Sequence, residues 1–328
     1  NDISINVISS FNHTNFVSLL KNSPDFNWKI NDTDYNQVFQ ILTDSSAKIW
    51  KKKTNITLVW TTPDSVSSEF HKLHQKKEVN AELIKKDIEY FCSCLKSIKN
   101  HSDIVLVPNW ILKLPEEDNL ALSYTKNFGL EYNLSFMNYY LSQCLSDEKN
   151  FYILNSSKWL MKNGLENAYN SKLWYLSKTP FSNNFFKDVI SDISNLFKST
   201  KGFSKKLLVL DLDDTLWGGI VGEVGWKKLR IGGHDYLGEA YRDFQTQIKS
   251  LKNQGILLAI ASKNDEATAI EAINKHPEMI LSMDDFVAHR INWEDKFKNI
   301  SEMVRELNLG LQSVVFLDDS PFERARVR

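Results

Sequence analysis

The sequence is poor in several things, and each shortage narrows what the chain can be. It has only three cysteines, Cys92, Cys94 and Cys144. The number is odd, and their spacing draws neither a disulfide framework nor a zinc pattern. Buried structural thiols in a reducing cytosol fit that usage. No apolar run approaches the ~18 residues of a membrane span, and no signal peptide opens the chain. Neither sign of charge is in excess: 40 basic against 41 acidic residues leave a net charge of −1. That balance gives no electrostatic basis for binding nucleic acid or a membrane surface. The lysines at 51–53, 76–77 and 85–86 are scattered and read as solvated helix faces. Internal repeats and low-complexity segments are absent too. A cytoplasmic location is the expectation.

What remains is an ordinary globular composition spread over 328 residues, enough for about two domains. The first half alternates strand-like and helix-like segments. "ISINVISS", "ITLVW", "DIVLVPNW" and "NFYILNS" are short apolar, β-branched or aromatic runs. "NFVSLLKN" follows the first as a helix, and residues 80–99 carry Leu83, Ile84, Ile88, Phe91 and Leu95 near helical spacing. Strands alternating with helices predict a parallel sheet covered on both faces. A helix pattern, "KDVISDISNLFKST", then runs into "KGFSKK", a linker-like cluster. A second α/β pattern begins after it: strand "KLLVLDL", a glycine-rich loop, helix "LGEAYRDFQTQIKSLKNQG", strand "ILLAIAS", helices "DEATAIEAINKHP" and "DKFKNISEMVRELNLG", and strand "SVVFLDD". The expected domains are 1–200 and 201–328. Asn1 is not a start residue and "FERARVR" stops inside a helix start, so trimming at the first end and a missing piece at the second are expected.

In a parallel sheet, ligands bind beyond the carboxyl ends of the strands. Three apolar strands of the second half end in polar side chains: Asp211, Asp213, Asp214 and Thr215; Ser262, Lys263 and Asn264; Asp318, Asp319 and Ser320. Lys296 stands at a helix start. Carboxylates gathered at one sheet edge repel unless a cation neutralises them. An all-oxygen site suits Mg²⁺, which also takes phosphate oxygens. A carboxylate there can attack phosphorus and form an aspartyl-phosphate. A second acid two residues on can protonate the leaving oxygen and later activate water. A hydroxyl and an ammonium can hold the phosphoryl oxygens. Each part alone has a bland reading as turn, helix cap or surface lysine. The ordered set is much more specific.

The set resembles the four motifs of the haloacid dehalogenase (HAD) superfamily. "DLDDTLWGGIVGEVGW", "GGHDYLGEAYRDFQ", "ASKNDEA", "HPEMILSMDDF", "INWEDKFKNI" and "LNLGLQSVVFLDDSPFERARVR" are similar to the FkbH-like family within it. In the first half "DYNQVFQ", "LVWTTPD", "VLVPNW" and "LWYLSKTPFSNN" resemble the N-terminal domain of that family. The resemblance implies two Rossmann-like parallel-sheet domains of α/β class. The first would be SGNH-hydrolase-like or flavodoxin-like and degenerate, since no glycine–aspartate–serine motif and no late Asp-x-x-His accompany Ser9 or Ser10. The second would be a capless HAD domain, with only a glycine-rich flap and a helix between Asp211 and Ser262.

The resemblance also assigns roles. Asp211 would be nucleophile and metal ligand, and Asp213 the general acid/base, binding the metal through its carbonyl. Ser262 and Lys296 would hold the phosphoryl group. Asp319, with Asp318 beside it, would complete the Mg²⁺ site. Thr215 would brace the loop and help bind phosphate. Trp217, Gly218, Gly219, Lys263 and Asn264 are candidate substrate contacts, with loop packing the simpler reading of Trp217. Gly218, Gly219 and Gly222 would let the backbone turn sharply.

The task implied is loading a glyceryl group onto an acyl carrier protein in polyketide or surface-polysaccharide biosynthesis. A phosphoglyceryl group from 1,3-bisphosphoglycerate would lose phosphate on the way. The cysteine that some members of the family carry before the motif-two serine is Ala261 here, which puts an acyl-enzyme in question. A plain phosphatase on a sugar phosphate or other small metabolite, and a non-catalytic docking module, are the competing readings. A capless site would leave the first domain, or a carrier protein, to act as lid; Lys178, Ser182, Asn183 and Asn184 offer polar groups for such a junction.

Overall fold

The computed structural model describes residues 2–112 and 121–328. The chain divides into two compact units, Asn1–Phe197 and Lys198–Arg328. Each is a parallel α/β layer structure.

The first unit holds β1 (Asp2–Ser9), β2 (Asn27–Asp32), β3 (Thr54–Trp60), β4 (Ser102–Pro108) and β5 (Phe151–Leu154), in sheet order β2-β1-β3-β4-β5. Every pairing is parallel. Because helices cover both faces, the central strands bury both sides and read as unbroken apolar runs. Ile5, Val7, Ile56, Leu58 and Trp60 enter one core, with Phe16, Phe185 and Phe186. Ile8, Val59, Val105 and Val107 enter the other, with Ile84, Ile88 and Phe91 from the helix Ala81–Ser97. Asn80 caps that helix by accepting a hydrogen bond from the Glu82 amide at 2.9 Å.

The second unit holds β6 (Leu207–Leu210), β7 (Leu257–Ser262), β8 (Phe286–Ile291) and β9 (Val314–Leu317), in order β8-β7-β6-β9, again all parallel. Period-two alternation divides its strands between two cores. Leu208, Leu210, Leu258 and Ile260 face one, while Leu207, Val209, Ala259 and Ala261 face the other. The chain runs from β6 outward to β7 and β8, then returns to β9 on the opposite side of β6. The strand order therefore reverses between β6 and β9, and a crevice opens at the carboxyl ends of such a pair.

Two strands lie outside the segments that patterning marks, β2 and β8. Both are sheet edges with polar, partly exposed residues, "NWKIND" and "FVAHRI". Among the described residues no helix is long and apolar enough to cross a membrane.

Candidate active site

The reversal of strand order brings the end of β6 beside the end of β9. Asp211 follows β6 directly, and Asp318 and Asp319 follow β9. The register pairs Leu210 with Leu317, so the two acidic turns leave the sheet at the same level. Carboxylate oxygens of Asp211, Asp318 and Asp319 all lie within 4.8 Å of one another. Asp211 and Asp318 are buried and Asp319 is exposed.

Lys296 reaches into this cluster. It opens the helix Lys296–Glu306, whose N-cap Asp295 accepts a hydrogen bond from the Lys298 amide. Its ammonium lies 2.6 Å from Asp318 Oδ2 and 3.0 Å from Asp211 Oδ1, and the side chain is only 4% exposed. Burial opposes its charge, but the Asp211 charge and the bonds to Asp318 and Asp211 outweigh it and hold the ammonium above the usual lysine range. Burial pushes the Asp211 carboxyl up, against the opposing pull of Lys296 and a hydrogen bond from Ser262. Three carboxylates and one ammonium leave a formal charge of −2. A divalent cation matches that remainder, and the all-oxygen donor set is that of a hard ion.

Asp213 points elsewhere. Its Oδ1 accepts from Trp217 Nε1 at 2.8 Å and from the Val221 amide at 3.0 Å. Its Oδ2 accepts from Asn264 Nδ2 at 2.9 Å, and the same amide group lies 3.2 Å from Ser262 Oγ. These donors fix the carboxylate two residues past Asp211. Asn264 links it to Ser262 at the end of β7.

Several sequence expectations change in detail. Trp217 is fully buried in the core, and its indole N–H positions Asp213. It presents no face to a substrate, so that reading is replaced by loop packing plus orientation of an acid. Asn264 is likewise buried, and its side-chain amide donates to Asp213 and lies 3.2 Å from Ser262 Oγ. Lys263 forms an ion pair with the buried Glu323 at 2.7 Å. Thr215 Oγ1 accepts from the Asp319 amide at 3.1 Å, which ties the first acidic loop to the last. Gly218 and Gly219 are needed as glycines. A Cβ on Gly218 would come within 2.9 Å of the Tyr241 ring, and Gly219 has φ +101°. Gly222 sits in the short helix Val221–Val224 with open space around it, so no sharp turn depends on it.

Asp318, adjoining Asp319, is the direct partner of Lys296, and the Ser320 amide donates to its other oxygen at 2.8 Å. Arg324 has no role in the sequence reading. Its guanidinium donates to the carbonyls of Asp318 and Asp319 at 2.5 and 2.6 Å, which pins the acidic turn. The only prior signal is its place one helical turn into "SPFERAR". A cavity of about 400 Å³ opens beside Asp318 and Asp319, walled by Leu237, Ala240, Tyr241, Phe244 and Leu317.

The family model for the FkbH N-terminal domain matches residues 18–198, more than half of the chain. The chain belongs to the FkbH family. Nine solved chains match. One is the N-terminal part of the protein BF1531 from Bacteroides fragilis, containing a phosphatase domain and crystallised with Mg. It is similar at a TM-score of 0.86 and 28% identity, over 100% of this chain and 86% of that one. No curated protein matches.

Proposed function

We propose that this FkbH-family chain is a Mg²⁺-dependent phosphoryl-transfer enzyme of HAD type. It would act on a phosphoglyceryl-type group from 1,3-bisphosphoglycerate and pass the glyceryl group to an acyl carrier protein. The observation that carries the reading is the convergence of Asp211, Asp318 and Lys296, with Asp319 alongside, at the reversal point of the sheet. The Mg-bound phosphatase-domain relative supports it. Asp211, Asp318 and Asp319 would hold Mg²⁺, which when bound neutralises charge on the cluster and on phosphoryl oxygens. The Asp213 carbonyl is the further expected ligand.

Asp211 has the position for attack on phosphorus, since it ends the central strand and Lys296 holds its carboxylate. Lys296 and Ser262 would bind the phosphoryl oxygens. Asp213, held by Trp217, Val221 and Asn264, would protonate the leaving oxygen and then take a proton from the attacking water. The apolar wall of Leu237, Ala240 and Phe244 suits the carbon part of a substrate. Only the flap and one helix separate Asp211 from Ser262, which supports a capless HAD domain. The parallel first unit, with Ser9 ending β1 and Ser10 just after it, supports a degenerate SGNH-like fold.

One observation favours a second reading, a plain phosphatase on a sugar phosphate or similar metabolite. Ala261 is buried before Ser262, and the three cysteines all lie in the first unit. Burial pushes the Cys92 thiol well up, so it is no ready nucleophile. Glyceryl transfer would then require the carrier thiol to attack the acyl carbon itself, forming the thioester as the C1 phosphate leaves, with Asp211 acting only on the other phosphate. Incubation of a candidate carrier protein with 1,3-bisphosphoglycerate and this enzyme separates the two. A glyceryl adduct in the carrier's mass spectrum supports transfer. Free phosphate with an unmodified carrier supports the plain phosphatase, and no phosphate release at all would reject both.

A further inference from the structure

We infer that the first unit carries a metal site of its own, formed by Asp64, His71 and His74 and suited to a zinc-class divalent ion. Ligand atoms of the three side chains all lie within 4.8 Å of one another. The segment that delivers them is firmly built. Asp64 lies in the helix Pro63–Val66, directly beyond β3, and Pro63 and Val66 anchor that helix by burial. The next helix, Ser68–His71, begins at the buried Ser67, whose hydroxyl accepts from the Phe70 amide at 3.2 Å and donates to Asp87 at 2.6 Å.

Phe70 and Leu73 then turn into the core, three residues apart. His71 and His74 follow each by one position, so they share the adjacent face. Their rings lie 5.7 Å apart between centroids, and Phe70 packs edge-on against His74 at 5.8 Å. The intervening Lys72 pairs with Glu69 at 2.6 Å.

The donor set decides the ion. Two imidazole nitrogens and one carboxylate oxygen are borderline ligands, which suit Zn²⁺ and Co²⁺ better than Mg²⁺. Ligands about 2.1 Å from a tetrahedral ion stand roughly 3.4 Å apart, so modest rotation about the side-chain bonds closes the present arrangement. His71 is exposed and can turn. Three protein ligands leave one position for water or a small anion. Asp64 and His71 belong to two successive helices, so the ion would cross-link them and stabilise the edge of the sheet after β3.

The site differs in hardness from the cluster at Asp211, and the experiment uses that difference. The full chain is titrated with Co²⁺ in a large excess of Mg²⁺, which occupies all-oxygen sites. The expected result is one Co²⁺ per chain, with the visible absorption of a nitrogen-ligated ion. His71→Ala and His74→Ala should each weaken binding by about tenfold or more and remove the band. Circular dichroism and Mg²⁺-dependent phosphate release should be unchanged, because neither histidine belongs to the phosphoryl site. Zn²⁺ should raise the melting temperature of the wild type and not of the variants. His74 is partly buried, so His71→Ala is the decisive variant if His74→Ala fails to fold. A cobalt band that survives His71→Ala, or affinity no tighter than about 1 mM, overturns the site.

Discussion

Both units reverse strand order once, and the two reversal points differ in what their side chains do. In the first unit the reversal falls between β1 and β3. Several polar groups there are spent on local hydrogen bonds: the Ser10 hydroxyl accepts from the Thr62 amide at 2.9 Å. Thr61 accepts from the Trp110 indole at 2.8 Å. At the end of β4, Asn109 accepts from the Ser156 amide at 2.6 Å. These hydrogen bonds brace loops. In the second unit the reversal falls between β6 and β9, and there buried carboxylates face one ammonium with charge left over. A shared architecture supplies the crevice; the chemistry comes from whether side chains at the edge are spent on loops or held in mutual electrostatic tension.

The largest expected break in the comparison is Asp211→Asn. Phosphate release should fall by three powers of ten or more, because loss of a nucleophile removes the covalent step. The same change should stabilise the metal-free protein at neutral pH. Asp211 has its folded pKa raised above the ordinary 3.8 by burial. Such a carboxyl costs stability above its folded pKa, and the cost vanishes as pH falls below the unfolded value. Thermal melts in EDTA should show the variant melting higher at pH 7, with the gain shrinking toward pH 4. Residual activity above about a tenth of wild type would remove Asp211 from its assigned role.

Lys296→Met comes next. It leaves Asp211 and Asp318 without their ammonium, so about 3 kcal/mol of stability should be lost, as for other broken buried pairs. Turnover should fall by about a hundredfold or more. Added Mg²⁺ should restore part of the stability, since it supplies the missing positive charge, and little of the turnover. A variant as stable as wild type in EDTA would contradict the charge accounting.

How much of this contrast was open to reading in advance depends on the kind of signal. The buried strands were legible because strands covered on both faces are continuous apolar runs, as "LLVL" and "ITLVW" show. The edge strands β2 and β8 were not, because Lys29, Asn31, His289 and Arg290 interrupt the unbroken apolar run that marks a strand covered on both faces. Asp211, Ser262 and Lys296 were legible as site candidates from their order along the chain. The division of labour within "DDS" was not. Of two adjacent acids at a strand end, only the folded chain settles that Asp318 is the one that meets Lys296. Trp217 and Asn264 were read as candidate substrate contacts, yet both turn inward and hold Asp213.

Asp213 therefore offers a finer test. Trp217→Phe keeps an aromatic ring and deletes one donor; Asn264→Ala deletes another. Each should lower phosphate release by about tenfold through a misplaced acid, with the folded state retained. Trp217→Phe should leave the affinity for Mg²⁺ near wild type, because the carboxylate it orients is not one of the clustered acids. If neither variant changed turnover by more than twofold, orientation of Asp213 would be irrelevant to the reaction.

The smallest effect should come from the first reversal point. Ser10→Ala removes the hydroxyl that accepts the Thr62 amide, a partly buried hydrogen bond at the end of β3. Deleting one such acceptor costs about 1 kcal/mol, and the amide it leaves can recover part of that by finding water. A melting temperature lower by a few degrees is expected. Turnover should stay within twofold of wild type, because Ser10 serves the backbone and no charge depends on it. Ser9 sharpens the point. Its hydroxyl is buried, bonded to the Phe11 carbonyl and 2.9 Å from His13 Nδ1, and burial holds the His13 imidazole below its usual pKa. A serine beside a neutral imidazole is what a hydrolase nucleophile would need, yet this hydroxyl is only 1% exposed. Ser9→Ala should accordingly change stability and leave the hydrolysis of simple esters at background. Ester cleavage by the wild type that disappears in Ser9→Ala would show that the first edge, too, performs chemistry, and the contrast between the two reversal points would fail.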